Sequence, residues 1–96
     1  MRLRWTKQAE RDLDDIASYI GQDGPAAAAR AVLELIDHVE AILPERLAIG
    51  RPGRVLGTRE LAVGGLPCIV PYRVREKDIE ILRILHTSRR WPYDFP

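Results

Sequence analysis

The apolar residues of this chain change their period at Pro44, and that change narrows the possible folds more than any other feature. Before it, Ala9, Leu13, Ile16, Ala17 and Ile20 fall on one stripe at helical spacing, and Ala28, Val32, Leu35, Ile36, Val39, Ile42 and Leu43 fall on another. Thr6 is placed to cap the first helix and Gly21 to stop it, with Asp12, Asp14 and Asp15 largely off its apolar stripe. Asp23-Gly24-Pro25 reads as a turn into a second helix running from Ala26 to Leu43, which Pro44 ends because proline has no N–H to continue the ladder. Two amphipathic helices joined by so short a turn predict an antiparallel hairpin.

Beyond Pro44 the pattern is that of strands and turns. Gly50, Pro52, Gly53 and Gly57 predict a loop from Pro44 to Gly57, basic through Arg46, Arg51 and Arg54. Thr58 to Val63 alternates as a strand does, Gly64-Gly65 suits a tight hairpin turn with positive φ, and Leu66 to Arg75 follows as a second strand. Pro71 within that strand predicts a bulge, since proline removes a ladder donor. After a turn at Glu76-Lys77-Asp78, Ile79 to His86 is apolar on both faces and is expected at the centre of the sheet. Met1 to Trp5, with Leu3 between Arg2 and Arg4, adds a short strand. The order β-α-α-β-β-β defines an α+β domain, a helical hairpin packed on one face of a mostly antiparallel four-stranded sheet.

Composition limits what such a domain can do. Its 96 residues are expected to form one domain, 1–96, with a single modest core. No apolar run approaches a membrane span, and Met1-Arg2-Leu3-Arg4-Trp5 lacks the apolar region of a signal peptide, so the cytoplasm and no membrane partner are expected. Cys68 is the single cysteine, which excludes an intrachain disulfide and a thiol-rich zinc site and predicts a buried, inert thiol. With two histidines, of which His38 is expected in solvent, neither a metal nor another cofactor is expected. Charge is divided: residues 1–48 carry 6 Lys/Arg against 9 Asp/Glu, and residues 49–96 carry 9 against 5. A basic strand half of this kind suits phosphate or an acidic protein surface.

Nucleotide-binding loops and the common hydrolase and metalloprotease motifs are absent. What remains is Tyr72, Arg73, Arg75 and Arg83 on the strands, with His86, Arg89 and Arg90 where the last strand leaves the sheet. Gathered in one place, arginines could stabilise a phosphorane-like charge while His86 or Tyr72 exchanges protons, cutting RNA through its own 2′-hydroxyl without metal. The same residues could equally line a solvated sheet face, with Tyr72 in the core and Trp91 an apolar anchor for the tail.

Several local patterns resemble the RelE/ParE superfamily of type II toxins along essentially the whole chain. They are Ala9-Glu10-Arg11-Asp12-Leu13, Gly50-Arg51-Pro52-Gly53, Thr58-Arg59-Glu60-Leu61, Pro71-Tyr72-Arg73-Val74 and His86-Thr87-Ser88-Arg89-Arg90-Trp91-Pro92, in that order. The resemblance implies a growth-arresting toxin silenced in a hetero-oligomer by a separately encoded antitoxin that wraps the basic sheet. It implies one of two targets. ParE-like members inhibit DNA gyrase without known nuclease chemistry, and RelE-like members are ribosome-dependent endoribonucleases that cut mRNA. In the ribonucleases an arginine usually stands shortly before the Tyr-containing stretch, where this chain has Cys68-Ile69-Val70, and their lysine-rich patch is missing around Arg59. The stretch Pro67 to Val74 resembles the ParE branch, and gyrase inhibition is the reading adopted, with the mRNA endoribonuclease as alternative. If the chain is an enzyme, it is a metal-independent nuclease with His86, Arg89, Arg90 and Tyr72 as its candidate catalytic residues. The candidate target-binding residues are Arg59, Arg73, Arg83, Arg89, Arg90 and Trp91. A plain nucleic-acid-binding module fits less well, because the second helix exposes Glu34, Asp37 and Glu40 and cannot enter a major groove.

Overall fold

Residues 2–87 are described by the structure, a computed structural model. Strand β1 (Arg2–Trp5) leads into α1 (Lys7–Ile20), a short 3-10 turn (Gly21–Asp23) and α2 (Pro25–Ile42). The strands β2 (Arg51–Pro52), β3 (Arg59–Ala62), β4 (Cys68–Arg75), β5 (Asp78–Ile81) and β6 (Leu85–His86) follow. Thr6 caps α1 as its sequence position predicts, its hydroxyl accepting from Ala9 N–H at 3.2 Å. The same hydroxyl donates to the Ile81 carbonyl at 2.8 Å, which fixes the start of the helix to the end of β5. Gly24 takes a φ of 128° at the α2 cap, and Pro25 opens the helix where its missing N–H has no cost.

The sheet is mixed and mostly antiparallel, in the order β1-β5-β4-β3-β2 with β6 also on β4. Only β1 with β5 is parallel. Two details differ from the four strands expected. The predicted loop contains the two-residue β2, which pairs Arg51 with Glu60 and Pro52 with Arg59. The long strand expected from Ile79 to His86 is divided into β5 and β6, and β4 takes the central position. The division has a cause in Pro71. Tyr72 pairs with Ile81 and Ile69 with Leu85, so Leu82, Arg83 and Ile84 stand opposite only Val70 and Pro71. Leu82 N–H still reaches the Pro71 carbonyl at 2.9 Å. The bulge that Pro71 predicted therefore exists, with its extra residue on the partner strand, where the proline has no N–H to offer. At the β3–β4 turn only Gly65 has positive φ, 81°, so the connection is wider than the predicted two-residue hairpin.

The core lies between the helices and one face of the sheet, with Ala9, Ile16, Leu35, Val39 and Leu43 against Leu61, Val70, Tyr72, Ile79 and Ile81. Cys68 is buried there, and burial pushes its thiol up to about 11, so it is not a thiolate at neutral pH. Asp12 departs from the expected solvent position, being only 4% exposed. Its carboxylate accepts from Arg83 Nε at 2.7 Å, Arg83 Nη2 at 3.2 Å, Ile84 N–H at 2.9 Å and Gln8 Nε2 at 3.2 Å. One side chain thus holds α1 against the bulge and satisfies a backbone donor that the bulge removes from the ladder. Replacing it should be costly. Asp12→Ala is expected to lower unfolding stability by about 2 kcal/mol or more, with Asp12→Asn costing less because it keeps an acceptor for Ile84, as read from urea transitions.

Candidate functional site

Cross-strand register sorts the predicted site residues, because alternate positions of a strand face opposite sides. Tyr72 faces the helices and is 0% exposed. Its hydroxyl donates to the Leu47 carbonyl at 2.7 Å and accepts from Gly50 N–H at 3.0 Å, so it fastens the long loop to the sheet. A Cβ at residue 50 would lie 2.7 Å from that ring and hydroxyl, which explains the glycine in Gly50-Arg51-Pro52-Gly53. Arg59 pairs across from Tyr72 and donates to the Gly50 carbonyl at 2.8 Å. Arg59 and Arg73 both border a hollow of about 240 Å3 with Leu47, Ala48, Gly57 and Val74.

Arg83 and His86 are elsewhere. They line a cleft of about 220 Å3 against α1, together with Asp12, Asp15 and Tyr19. The His86 and Tyr19 rings meet edge to face, with centroids 4.8 Å apart. Arg83 is already bound by Asp12, and a second carboxylate, Asp15, borders the same space. Among the described residues, the cleft carries two carboxylates, Asp12 and Asp15, beside two basic groups, Arg83 and His86. Among the described residues of the expected basic surface, Arg59 and Arg73 lie at one hollow and Arg83 and His86 at another, with Tyr72 buried between the helices and the sheet. Arg89, Arg90 and Trp91 lie outside the described residues. Among the described residues no group of three or more His, Cys, Asp or Glu could hold a metal ion. His38, expected in solvent, is half-buried beside Ile42 and Ile49.

The face of the sheet away from the helices holds an arrangement that the sequence reading did not isolate. Arg4, Glu80 and Arg73 stand in one cross-strand row and Arg2, Asp78 and Arg75 in the next. Glu80, 3% exposed, accepts from Arg73 Nε at 2.7 Å and from Arg4, with Arg75 Nε 3.9 Å away. The Arg73 hydrogen bond, opposed by burial and aided by Arg4, holds the Glu80 carboxyl below the ordinary glutamate range. A second buried carboxylate, Glu60, accepts from Arg51 Nη2 at 3.2 Å and from Arg54 N–H at 2.8 Å. Basic side chains on this face are organised by buried acids, and spacing could not reveal it because each row draws on strands distant in sequence.

The family model described as "ParE toxin of type II toxin-antitoxin system, parDE" matches residues 3–91. The Y4kP protein of Sinorhizobium fredii is 48% identical over 91 residues, covering 95% of this chain and 93% of that protein. A solved chain of the chromosomal ParDE toxin–antitoxin system from P. aeruginosa superposes with a TM-score of 0.86 at 36% identity, covering 92% of this chain and 97% of that one. The chain belongs to the ParE toxin family of type II toxin–antitoxin systems. No helix among the described residues is long and apolar enough to cross a membrane.

Two measurements check the roles assigned here. Tyr72→Phe leaves a buried N–H and a carbonyl without their partner and is expected to cost about 1–3 kcal/mol in urea unfolding. For Glu80 the folded pKa is lowered, so its contribution is present in full above the ordinary glutamate value and is lost as pH falls through the folded value. Stability should decline more steeply below about pH 4.5 in the parent than in Glu80→Gln, as followed by thermal midpoint against pH.

Proposed function

We propose that this chain is held silent by an antitoxin encoded nearby and, when free, arrests growth by inhibiting DNA gyrase, acting in the cytoplasm by binding rather than by cleavage. The observation that carries the reading is the company kept by the candidate nuclease groups. His86 and Arg83 share their cleft with Asp12 and Asp15, and the Tyr72 hydroxyl is engaged in the core by Leu47 and Gly50. A metal-free ribonuclease needs cations converging on a phosphate beside an accessible acid or base. Among the described residues, Tyr72 stands apart from Arg83 and His86. A binding role asks only for a stable surface, for which Arg59 and Arg73 beside their hollow are the proposed contacts, with Arg89, Arg90 and Trp91 contributing from the tail. The antitoxin partner is supported by family membership and by the solved ParDE system that the chain resembles.

The test is direct. Purified protein added to gyrase, ATP and relaxed plasmid is expected to block supercoiling, while mRNA on translating ribosomes stays intact. Cleavage of mRNA in the ribosomal A site with unchanged supercoiling would overturn the reading in favour of the RelE-like endoribonuclease.

A further inference from the structure

The β2–β3 hairpin ends in a turn that does not bury its apolar residue. Leu56 is 99% exposed, more than any other large hydrophobic side chain among the described residues. An exposed leucine on a loose loop would need no account, but this turn is built. Gly53 N–H donates to the Thr58 carbonyl at 2.8 Å, and Thr58 N–H returns to the Val55 carbonyl at 3.2 Å. The Thr58 hydroxyl donates to the same Val55 carbonyl at 2.6 Å. Gly57 follows Leu56 with a φ of 80°, the value a type II turn needs at its third position. A Cβ at residue 53 would overlap the Thr58 hydroxyl, so this turn also specifies Gly53. Buried Glu60 anchors the base of the hairpin through Arg54 N–H at 2.8 Å and the Arg51 guanidinium. The result is a fixed pedestal with one leucine at its tip.

We infer that Leu56 is the anchor by which this toxin docks into its target, a folded protein offering an apolar pocket with an acidic rim. The rim follows from charge. Arg51 and Arg54 are exposed below the tip, Arg59 borders the adjoining hollow, and the one carboxylate of the hairpin, Glu60, is buried among them. The folded state of the partner follows from the form of the anchor. A rigid single knob is preorganised for a preformed pocket, whereas a flexible antitoxin segment gains its affinity from grooves along which several side chains can bury. The inference rests on gyrase being the target, and makes the hairpin tip its point of contact.

The experiment compares the full chain with Leu56→Asp, Leu56→Met and, as an equally apolar control, Leu33→Asp on α2, where Leu33 is 60% exposed. Thermal midpoints confirm folding, which an exposed position should not disturb. Leu56→Asp is expected to raise the concentration needed to block gyrase supercoiling about 30-fold, the loss typical of a central anchor. Leu56→Met and Leu33→Asp should stay near the parent. Antitoxin co-expressed from the adjacent gene should copurify with tagged Leu56→Asp as it does with the parent. Undiminished inhibition by Leu56→Asp, or equal loss in Leu33→Asp, would overturn the inference. So would loss of antitoxin copurification, which would assign the tip to the antitoxin. Parent binding to a short DNA duplex that Leu56→Asp abolishes would instead make the tip a wedge for base steps. If the parent itself leaves gyrase active, the gyrase reading fails first, and the two failures are told apart.

Discussion

The carboxylate of Asp12 is the point on which the two layers of this protein depend. Amphipathic helices can settle on a sheet in several registers, since apolar burial is non-directional. Asp12 removes that freedom. It accepts from the Arg83 guanidinium and from Ile84 N–H, and both donors exist in those positions only because the β5–β6 segment bulges opposite Pro71. A proline in β4 thus sets the geometry that α1 recognises, through a contact whose two residues, Asp12 and Arg83, lie 71 positions apart. The Thr6 hydroxyl, bonded to the end of β5, fixes the N-terminus of α1 in the same frame.

That arrangement also shapes the cleft beside His86. Binding Asp12 neutralises Arg83, and bringing α1 close carries Asp15 and Tyr19 to the cleft beside His86. Arg83, read in sequence as a candidate site residue, here joins the sheet to α1. At the other end of the sheet, Tyr72 fastens the long loop and Glu60 fixes the hairpin above it. Rigidity there has the same physical source as at Asp12: a buried acceptor that satisfies backbone donors outside the regular ladder.

Much of this was legible in the sequence, and the limits are physical. Helical periods, the Thr6 cap, the proline stop at Pro44 and the disturbance at Pro71 are local properties of a few neighbouring residues, and the structure has them all. Helical spacing leaves Asp12 off the apolar stripe and cannot show its burial, because its partner Arg83 lies on another element. The row of Arg4, Glu80 and Arg73 has no local signature for the same reason, spanning β1, β5 and β4. Arg73 and Tyr72 are adjacent in sequence and point to opposite faces, so one motif delivered a core residue and a surface residue. The two-residue β2 is shorter than any alternation that could announce it.

The parallel pairing of β1 with β5 also has a consequence for the order of assembly. Arg4 meets Glu80 across a separation of 76 residues, and the central strand β4 lies almost as far from β1. During synthesis the helices emerge with their apolar stripes uncovered, and no sheet exists to receive them until most of the polypeptide has been made. The acidic first half is thus complete long before the basic half that balances it. The sheet can close only once β4 and β5 have been made, because β1 pairs with β5 and β5 with β4.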